Sequence, residues 1–365
     1  MRKGQNPAKF VKDVARPERI TVALLNYIPF LSGFYAETLD VLKVCMESMR
    51  KDAGLPFDLM VFDNGSCPEV RDFLVKEKED GRIQYLILAE KNIGKGGAWN
   101  VMLAGAPGEI IAYTDSDVLF SPGWLSRSVE ILETFPNVGM VTARPFRTPP
   151  EFLESTLKWA RENATLEEGQ FIPWETFLEF NLSLGQTEEE NKRVYAETRD
   201  WKITHNTMSL RGGRPECYAI EGSRRSNLSL NEETASLQDA SQSQQTLAAT
   251  SKEIVAFAGA SHWQFTAYKS TLQGFLPFDM DKPMGQVRQL DKRMNDAGLL
   301  RLMVSDPLAM NMSNTLGYLR GELGEGSGKL KREKGKSWKR RALELGPVKK
   351  MLLAVYNRIF SWYYS

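Results

Sequence analysis

Short apolar runs alternate with amphipathic stretches along the first 143 residues, the runs suited to strands and the stretches to helices. "RITVALLNY" (19–27), "FDLMVFDN" (57–64), "RIQYLILAE" (82–90), "EIIAYTDSD" (109–117) and "NVGMVTARP" (137–145) read as strands. Between them, "ETLDVLKVCMESMRKDAG" (37–54), "CPEVRDFLVKEKEDG" (67–81), "GGAWNVMLAGA" (96–106) and "PGWLSRSVEILETF" (122–135) read as helices. Gly54 closes the first helix, and Pro68 is tolerated in the first turn of the second. Strands alternating with helices imply parallel β-α-β units with right-handed crossovers. In such sheets ligands bind at the carboxyl ends of the strands.

The pattern breaks down from about 146 to 253. "PEFLESTLKWAREN" and "TEEENKRVYAETRDW" are amphipathic and helical in period, while "LRGGRPECYAIEG" is rich in turn residues. "TASLQDASQSQQTLAATSKE" (234–253) has few large apolar residues and much Ser, Gln and Ala, so it reads as a mobile loop. Order returns with "EIVAFAGASHWQF" as strand and loop, "QVRQLDKRMNDAG" as a helix closed by Gly298, and "LLRLMVSDP" as a strand. The resulting division is an extension (1–18), a first half (19–145), an insert (146–253), a second half (254–316) and a tail (317–365).

Charge matters most in that tail. The whole chain carries a formal net charge of +1, which argues against nucleic acid as a partner. Between Lys329 and Lys350, however, seven Lys and three Arg stand against two Glu, a balance of +8, and the chain then ends in aliphatic and aromatic residues. Two readings stay open: an amphipathic segment resting on an anionic membrane face, or a helix packed on the domain beside a solvated basic linker. No apolar run reaches the roughly 20 residues needed to cross a bilayer, and the basic N-terminus lacks a signal-peptide core. Three cysteines, Cys45, Cys67 and Cys217, have no paired spacing. The expectation is a cytoplasmic protein, with peripheral contact at the inner membrane face as the tail's contribution.

The chemistry gathers at the four strand ends. Strand one ends in Leu25-Asn26-Tyr27, strand two in Asp63-Asn64-Gly65-Ser66, and strand four in Thr114-Asp115-Ser116-Asp117, while "EKNIGKGGAWN" (90–100) follows strand three. Asp63 can accept hydrogen bonds from a base or ribose. Gly94, Gly96 and Gly97 permit close backbone approach, and Lys95 offers charge to a phosphate. The helix starting near Gly97 points its N–H groups the same way. Asp115 and Asp117 share one face of an extended segment. That spacing suits a hard divalent cation, Mn²⁺ or Mg²⁺, with a diphosphate completing the shell. Singly, a D-x-D, a "DNGS" or a "GKGG" is weak; their order across alternating strands carries the weight.

Together "ITVALLNY", "LMVFDNGS", "EKNIGKGGAWN" and "IIAYTDSDVLFSPGWL" resemble the successive signatures of family 2 glycosyltransferases. The resemblance is specific over 19–145, weaker over 254–316 and absent from most of 146–253. It implies an α/β chain of the GT-A nucleotide-diphospho-sugar transferase fold, a Rossmann-like mixed sheet flanked by helices, here with a large helical and loop insert and a basic C-terminal tail. It further implies an inverting transfer from a nucleotide-diphospho-sugar to an acceptor hydroxyl on a polysaccharide, lipid-linked sugar or protein glycan. The nucleotide-sugar positions it carries over are Leu25, Asn26, Asp63, Asn92, Gly96, Asn100 and Asp115, to which Tyr27, Lys95 and Ser116 are added from the strand ends. Asp117 is implied as the direct metal ligand and Asp115 as a second acid beside ribose or sugar hydroxyls.

The family's catalytic base commonly lies in an E-D pair at a helix start. That pair is missing here, and Asp291 in "QLDKRMNDAG" is the best match, with Asp279 and Asp281 competing. His262 and Trp263 in "GASHWQFTAY" match the acceptor-side loop, the alternative being a core Trp and a structural His. Asn311 stands where relatives carry a histidine that helps hold the metal. Two rival readings are a sugar-nucleotide nucleotidyltransferase, which would carry a basic glycine-rich loop after strand one that "LLNYIPFLSGF" lacks, and a catalytically inactive scaffold of the same fold at the membrane.

Overall fold

A computed structural model describes residues 5–208, 251–280, 285–317 and 319–320 of the chain. The turn-rich stretch at 210–222, most of the Ser- and Gln-rich loop, Cys217, Asp281 and the basic aromatic tail lie outside the described residues.

Strands β1 (Ile20–Asn26), β2 (Asp58–Asp63), β3 (Tyr85–Leu88) and β4 (Ile110–Asp115) alternate with helices α1 (Thr38–Ser48), α2 (Pro68–Glu79) and α3 (Gly94–Gly105). A short strand β5 (Val118–Phe120), helix α4 (Trp124–Thr134) and strand β6 (Val138–Thr142) follow. Next come α5 (Glu154–Asn163), β7 (Thr165–Gly169), α6 (Trp174–Ser183), α7 (Glu188–Glu197) and β8 (Asp200–Met208). The chain finishes with β9 (Ser251–Ala258), β10 (Gln264–Tyr268), α8 (Lys269–Gln273), α9 (Gly285–Asp296), β11 (Leu300–Met303) and β12 (Ala309–Asn311).

One large sheet has the order β3-β2-β1-β4-β10-β6-β11-β9-β8-β7, and β12 pairs with β5 in a small second sheet. β1 to β4 are mutually parallel, as the alternating pattern implies. β10 enters antiparallel between β4 and β6. The mixed α/β architecture expected from the sequence is therefore the one the chain adopts. Beyond that expectation, β7 and β8 extend the sheet antiparallel from β9, so residues 165–208 contribute strands as well as helices.

Period-two alternation sorts the strand side chains into two cores. Val22, Leu24, Leu59, Val61, Ile110 and Ala112 face the layer of α1, α2 and α4. Ala23, Leu25, Met60, Phe62, Ile111 and Tyr113 face α3, α8 and α9. Both faces are covered, so β1 and β4 read as nearly continuous apolar runs, as buried parallel strands do. Each fully buried large side chain contributes about 1.5–3 kcal/mol. Trp99 centres the second core, edge-on to Tyr113, Phe265 and Phe278 at 5.2, 5.9 and 5.3 Å between ring centroids.

Candidate active site at the carboxyl edge

The parallel register places Asn26 beside Asp63 and Leu25 beside Asp115. Three strand ends chosen from the sequence thus meet at one edge. Asp63 is fully buried. Its Oδ1 accepts the Asn26 amide at 2.9 Å and its Oδ2 accepts the Ser66 N–H at 3.0 Å. Ser66 Oγ in turn accepts the Asn26 amide and the Ile28 N–H at 3.1 and 2.9 Å. Asp63 therefore shapes the floor of the edge rather than protruding from it. Leu25 is buried and Tyr27 half-buried beside this turn.

Asn64, absent from the sequence-derived set, fastens the next loop. Its Oδ1 accepts the Ile93 N–H at 2.9 Å, and its amide donates to Asn92 Oδ1 at 3.0 Å. Asn92 Oδ1 also accepts the Gly94 N–H at 2.8 Å. Gly65 has φ of +86°, and a Cβ there would stand 2.9 Å from the backbone of Lys91 and Asn92, so only glycine lets the loop sit this close. The loop delivers Lys95 and Gly96 in the first turn of α3, whose free N–H groups favour an anion. Asn100 is placed elsewhere: its amide holds both the carbonyl and the N–H of Phe278, at 2.9 and 2.6 Å.

Lys95 Nζ lies 2.8 Å from each oxygen of Asp115. The Tyr113 hydroxyl donates to Asp115 Oδ1 as well. Burial, and then the charge of Asp115, push the Tyr113 phenol up. The N–H of Asp115 donates to Trp263 O at 2.8 Å, which brings the His262-Trp263 loop to the same edge. Trp263 is buried and stacked on Phe180 of α6 at 6.0 Å between centroids, while His262 is half-exposed. Ser116, half-buried, links the two acids.

Asp117 differs from Asp115. Its Oδ1 is inaccessible and has no hydrogen-bond partner among the described residues. Burial first, and the charge of Asp115 second, push its carboxyl up to about 7, against the opposing pull of Lys95. β12 pairs with β5 so that Asn311 opposes Val118, and Met312 N–H donates to Asp117 O at 2.7 Å. Asn311 hydrogen-bonds the Asp117 carboxyl through its side chain, and its Oδ1 accepts the Ser313 N–H at 2.7 Å. The Asn311 oxygen is therefore engaged and its amide is what meets Asp117. Among the described residues no third His, Cys, Asp or Glu joins the two acids in a metal-holding cluster.

Asp291 is 5% exposed, in the interior of α9 rather than at its start. Its Oδ1 is 2.5 Å from the guanidinium of Arg301, which is 1% exposed and itself lowered by burial. Its Oδ2 is 3.7 Å from His262 Nδ1. Asp279 is exposed. His205 sits between the rings of Phe135 and Trp159 at 5.2 and 5.5 Å, far from these groups in the sheet order, and burial pushes it down. Among the described residues no helix is long and apolar enough to cross a membrane.

Residues 33–205 match the family model described as Glycosyl transferase family 2. An uncharacterized glycosyltransferase, alr2836, of Nostoc sp. (strain PCC 7120) is 32% identical over 84 residues, which are 23% of this chain and 26% of that protein. The match spans about a quarter of that relative's length. Among solved structures, the mannosyltransferase PcManGT from Pyrobaculum calidifontis, in complex with GDP-Man and Mn²⁺, is 27% identical over 36% of each chain with a TM-score of 0.27. GalNAc-T7 with UDP, GalNAc and Mn²⁺ is 10% identical over 79% of this chain and 43% of its own, with a TM-score of 0.40. Asp63, Asn92, Lys95, Asp115 and Asp117 of the carboxyl edge lie in that matched stretch, while Asn26, His262 and Asp291 lie outside it, so the chain is similar to glycosyl transferase family 2 over residues 33–205.

Proposed function

We propose that this chain transfers a sugar from a nucleotide-diphospho-sugar donor to an acceptor hydroxyl, with inversion at the anomeric carbon and with a divalent cation, Mn²⁺ or Mg²⁺. One observation carries the reading: the buried, unpartnered Oδ1 of Asp117 at the carboxyl edge of parallel strands. A carboxylate in that setting is costly unless a positive group meets it, and hard oxygen ligands suit these cations. Asp117 would hold the metal, with Asp115 behind it. The bound cation would neutralise the diphosphate and make it a better leaving group.

The remaining edge residues divide the donor between them. Leu25, Asn26, Tyr27 and the Asp63 turn border the base and ribose. The Asn92–Gly96 segment and the ammonium of Lys95 face the diphosphate, and Asp115 with Ser116 faces the sugar. Asp115 is committed to Lys95 and Tyr113, which supports direct displacement by the acceptor over a covalent sugar on this acid. His262 stands on the acceptor side, and the buried indole of Trp263, packed on Phe180, backs the loop that carries it. The acceptor is a polysaccharide, lipid-linked or protein-borne glycan, and the basic tail draws it to an anionic membrane surface on the cytoplasmic side.

A panel of nucleotide sugars with Mn²⁺, screened by thermal melting, tests this. A ligand that binds only the folded form raises the melting temperature by mass action. At least one nucleotide-diphospho-sugar is expected to do so in the wild type and not in Asp117→Ala. A panel with no response in the presence of Mn²⁺ overturns the reading.

A further inference from the structure

We propose that His262, steered by Asp291, is the group that takes the acceptor's proton, an inference that rests on the transfer reading above. Asp291, the base that the resemblance implies, is poorly placed to meet a substrate. It is 5% exposed and its Oδ1 is committed to Arg301 at 2.5 Å, so an acceptor hydroxyl has no open path to it. Its other oxygen is directed at His262 Nδ1, 3.7 Å away. That distance is long for a hydrogen bond, but catalytic contacts in ligand-free proteins often tighten only when substrate binds.

His262 has what Asp291 lacks. Its side chain is 33% exposed. Its neighbour Trp263 receives the Asp115 N–H, so the imidazole stands at the strand edge where the two acids lie. No described residue hydrogen-bonds its Nε2. Arg301 anchors both halves of the pair, since its guanidinium donates to Asp291 and, at 2.8 Å, to Ala260 O in the stem of the His262 loop. A third bond, to Phe152 O at 2.9 Å, fixes the guanidinium from the other side. The arrangement follows the logic of an activated pair: a base open to substrate, oriented by a buried carboxylate that is itself held. The charged group that faces His262 is Asp291, with Arg301 behind it, and the backbone of the next residue, Trp263, meets that of Asp115.

In the step itself, the acceptor O–H proton moves to Nε2 of His262 as the oxygen lone pair forms the new bond to the anomeric carbon. The bond from that carbon to the diphosphate oxygen breaks, and its electron pair leaves with the diphosphate. Asp291 keeps its charge and balances the imidazolium, which makes it a positioning residue and His262 the catalytic one.

The chain has only two histidines, His205 and His262, so both imidazoles are separable by NMR. Two measurements test the pair. First, His262→Gln should leave donor and Mn²⁺ affinity by calorimetry within about twofold while lowering kcat roughly 100- to 10,000-fold, the usual range for a general base. Second, Asp291→Asn should shift the His262 NMR titration to lower pH and move the acidic limb of the kcat/KM profile with it. Donor binding retained with unchanged kcat in His262→Gln overturns this inference alone, as does a His262 midpoint indifferent to Asp291→Asn. Failure of the wild type to bind any nucleotide sugar with Mn²⁺ removes the transfer reading and this inference with it.

Discussion

Lys95 Nζ lies 2.8 Å from both oxygens of Asp115, tying the first turn of α3 to the end of β4. The side chains are mostly shielded, at 12% and 28% exposure, so the pair is stronger than a surface ion pair. The Lys95 ammonium also lies 5.4 Å from the ring centroids of Trp99 and Tyr113. Lys95→Met keeps the stem packing and removes the charge. The expected result is a loss of about 1–3 kcal/mol in urea unfolding, the scale of one charge-assisted hydrogen bond at a part-buried site. Nucleoside diphosphate affinity should fall roughly tenfold or more in calorimetry if that ammonium also meets phosphate. A variant as stable and as tight-binding as wild type contradicts this role.

Asp117 makes stability depend on pH in a direction opposite to that of an ordinary paired carboxylate. Its carboxyl is pushed up to about 7 in the folded chain, against about 4 in an unfolded one. Between those values the folded state binds more protons, so stability is fully present below the lower one and falls as pH rises through about 7. Metal-free protein should lose melting temperature over that window, and Asp117→Asn should flatten the loss. Added Mn²⁺ should stabilise most at the upper end of the window, where the carboxylate is free to bind it. A profile in Asp117→Asn that parallels wild type would sink this assignment.

Arg301 and Asp291 form a buried pair whose halves are not worth equal and independent amounts. Removing Arg301 alone, as Arg301→Leu, leaves Asp291 with an unbalanced charge and should cost about 3–5 kcal/mol in chemical denaturation. The double change Arg301→Leu with Asp291→Leu should cost clearly less than the sum of the single changes, because neither charge is stranded. Strict additivity would mean that the two side chains do not depend on each other.

Gly65 sets the distance between the Asp63 turn and the glycine-rich loop. Gly65→Ala adds a Cβ against the backbone of Lys91 and Asn92 at a φ of +86°. The expected loss is about 1–3 kcal/mol, the cost of strain at such a backbone position. Because the loop carries Lys95, donor affinity should weaken along with stability. Loss of stability without any change in donor binding would show that the loop does not line the nucleotide.

Much of this was legible from residue order. From β1 to α4 the longer elements stand out along the chain, the strands as apolar runs because both faces of the parallel strands are covered and the helices by an apolar face. Asn26, Asp63 and Asp115 could be set on one edge because parallel strands with short loops leave no other place for their ends. Tyr113 was also readable, two residues before Asp115 and so on the same side of the strand, but its apolar surroundings concealed it. What escaped depends on contacts between distant segments. Val118–Phe120 and Ala309–Asn311 are three-residue strands that exist only as partners, and neither is long enough to show a period. Thr165–Gly169 carries two glutamates in five residues and pairs on one side only, at the edge of the sheet, so apolar alternation is absent. Asp291 reads as an ordinary helix acid, and nothing in the order of residues announces that Arg301 on the next strand closes over it.

The central claim is that Asp117 holds a divalent cation together with a nucleoside diphosphate. Mn²⁺ electron paramagnetic resonance tests it most directly, since free and bound ion are distinguished in one titration. With UDP or GDP present, wild-type protein is expected to bind one Mn²⁺ per chain, tightly enough to deplete the free signal beyond what the nucleotide alone removes, and Asp117→Asn is expected to lose that fraction. Equal depletion by both proteins, or none by either with any nucleoside diphosphate, would contradict the account.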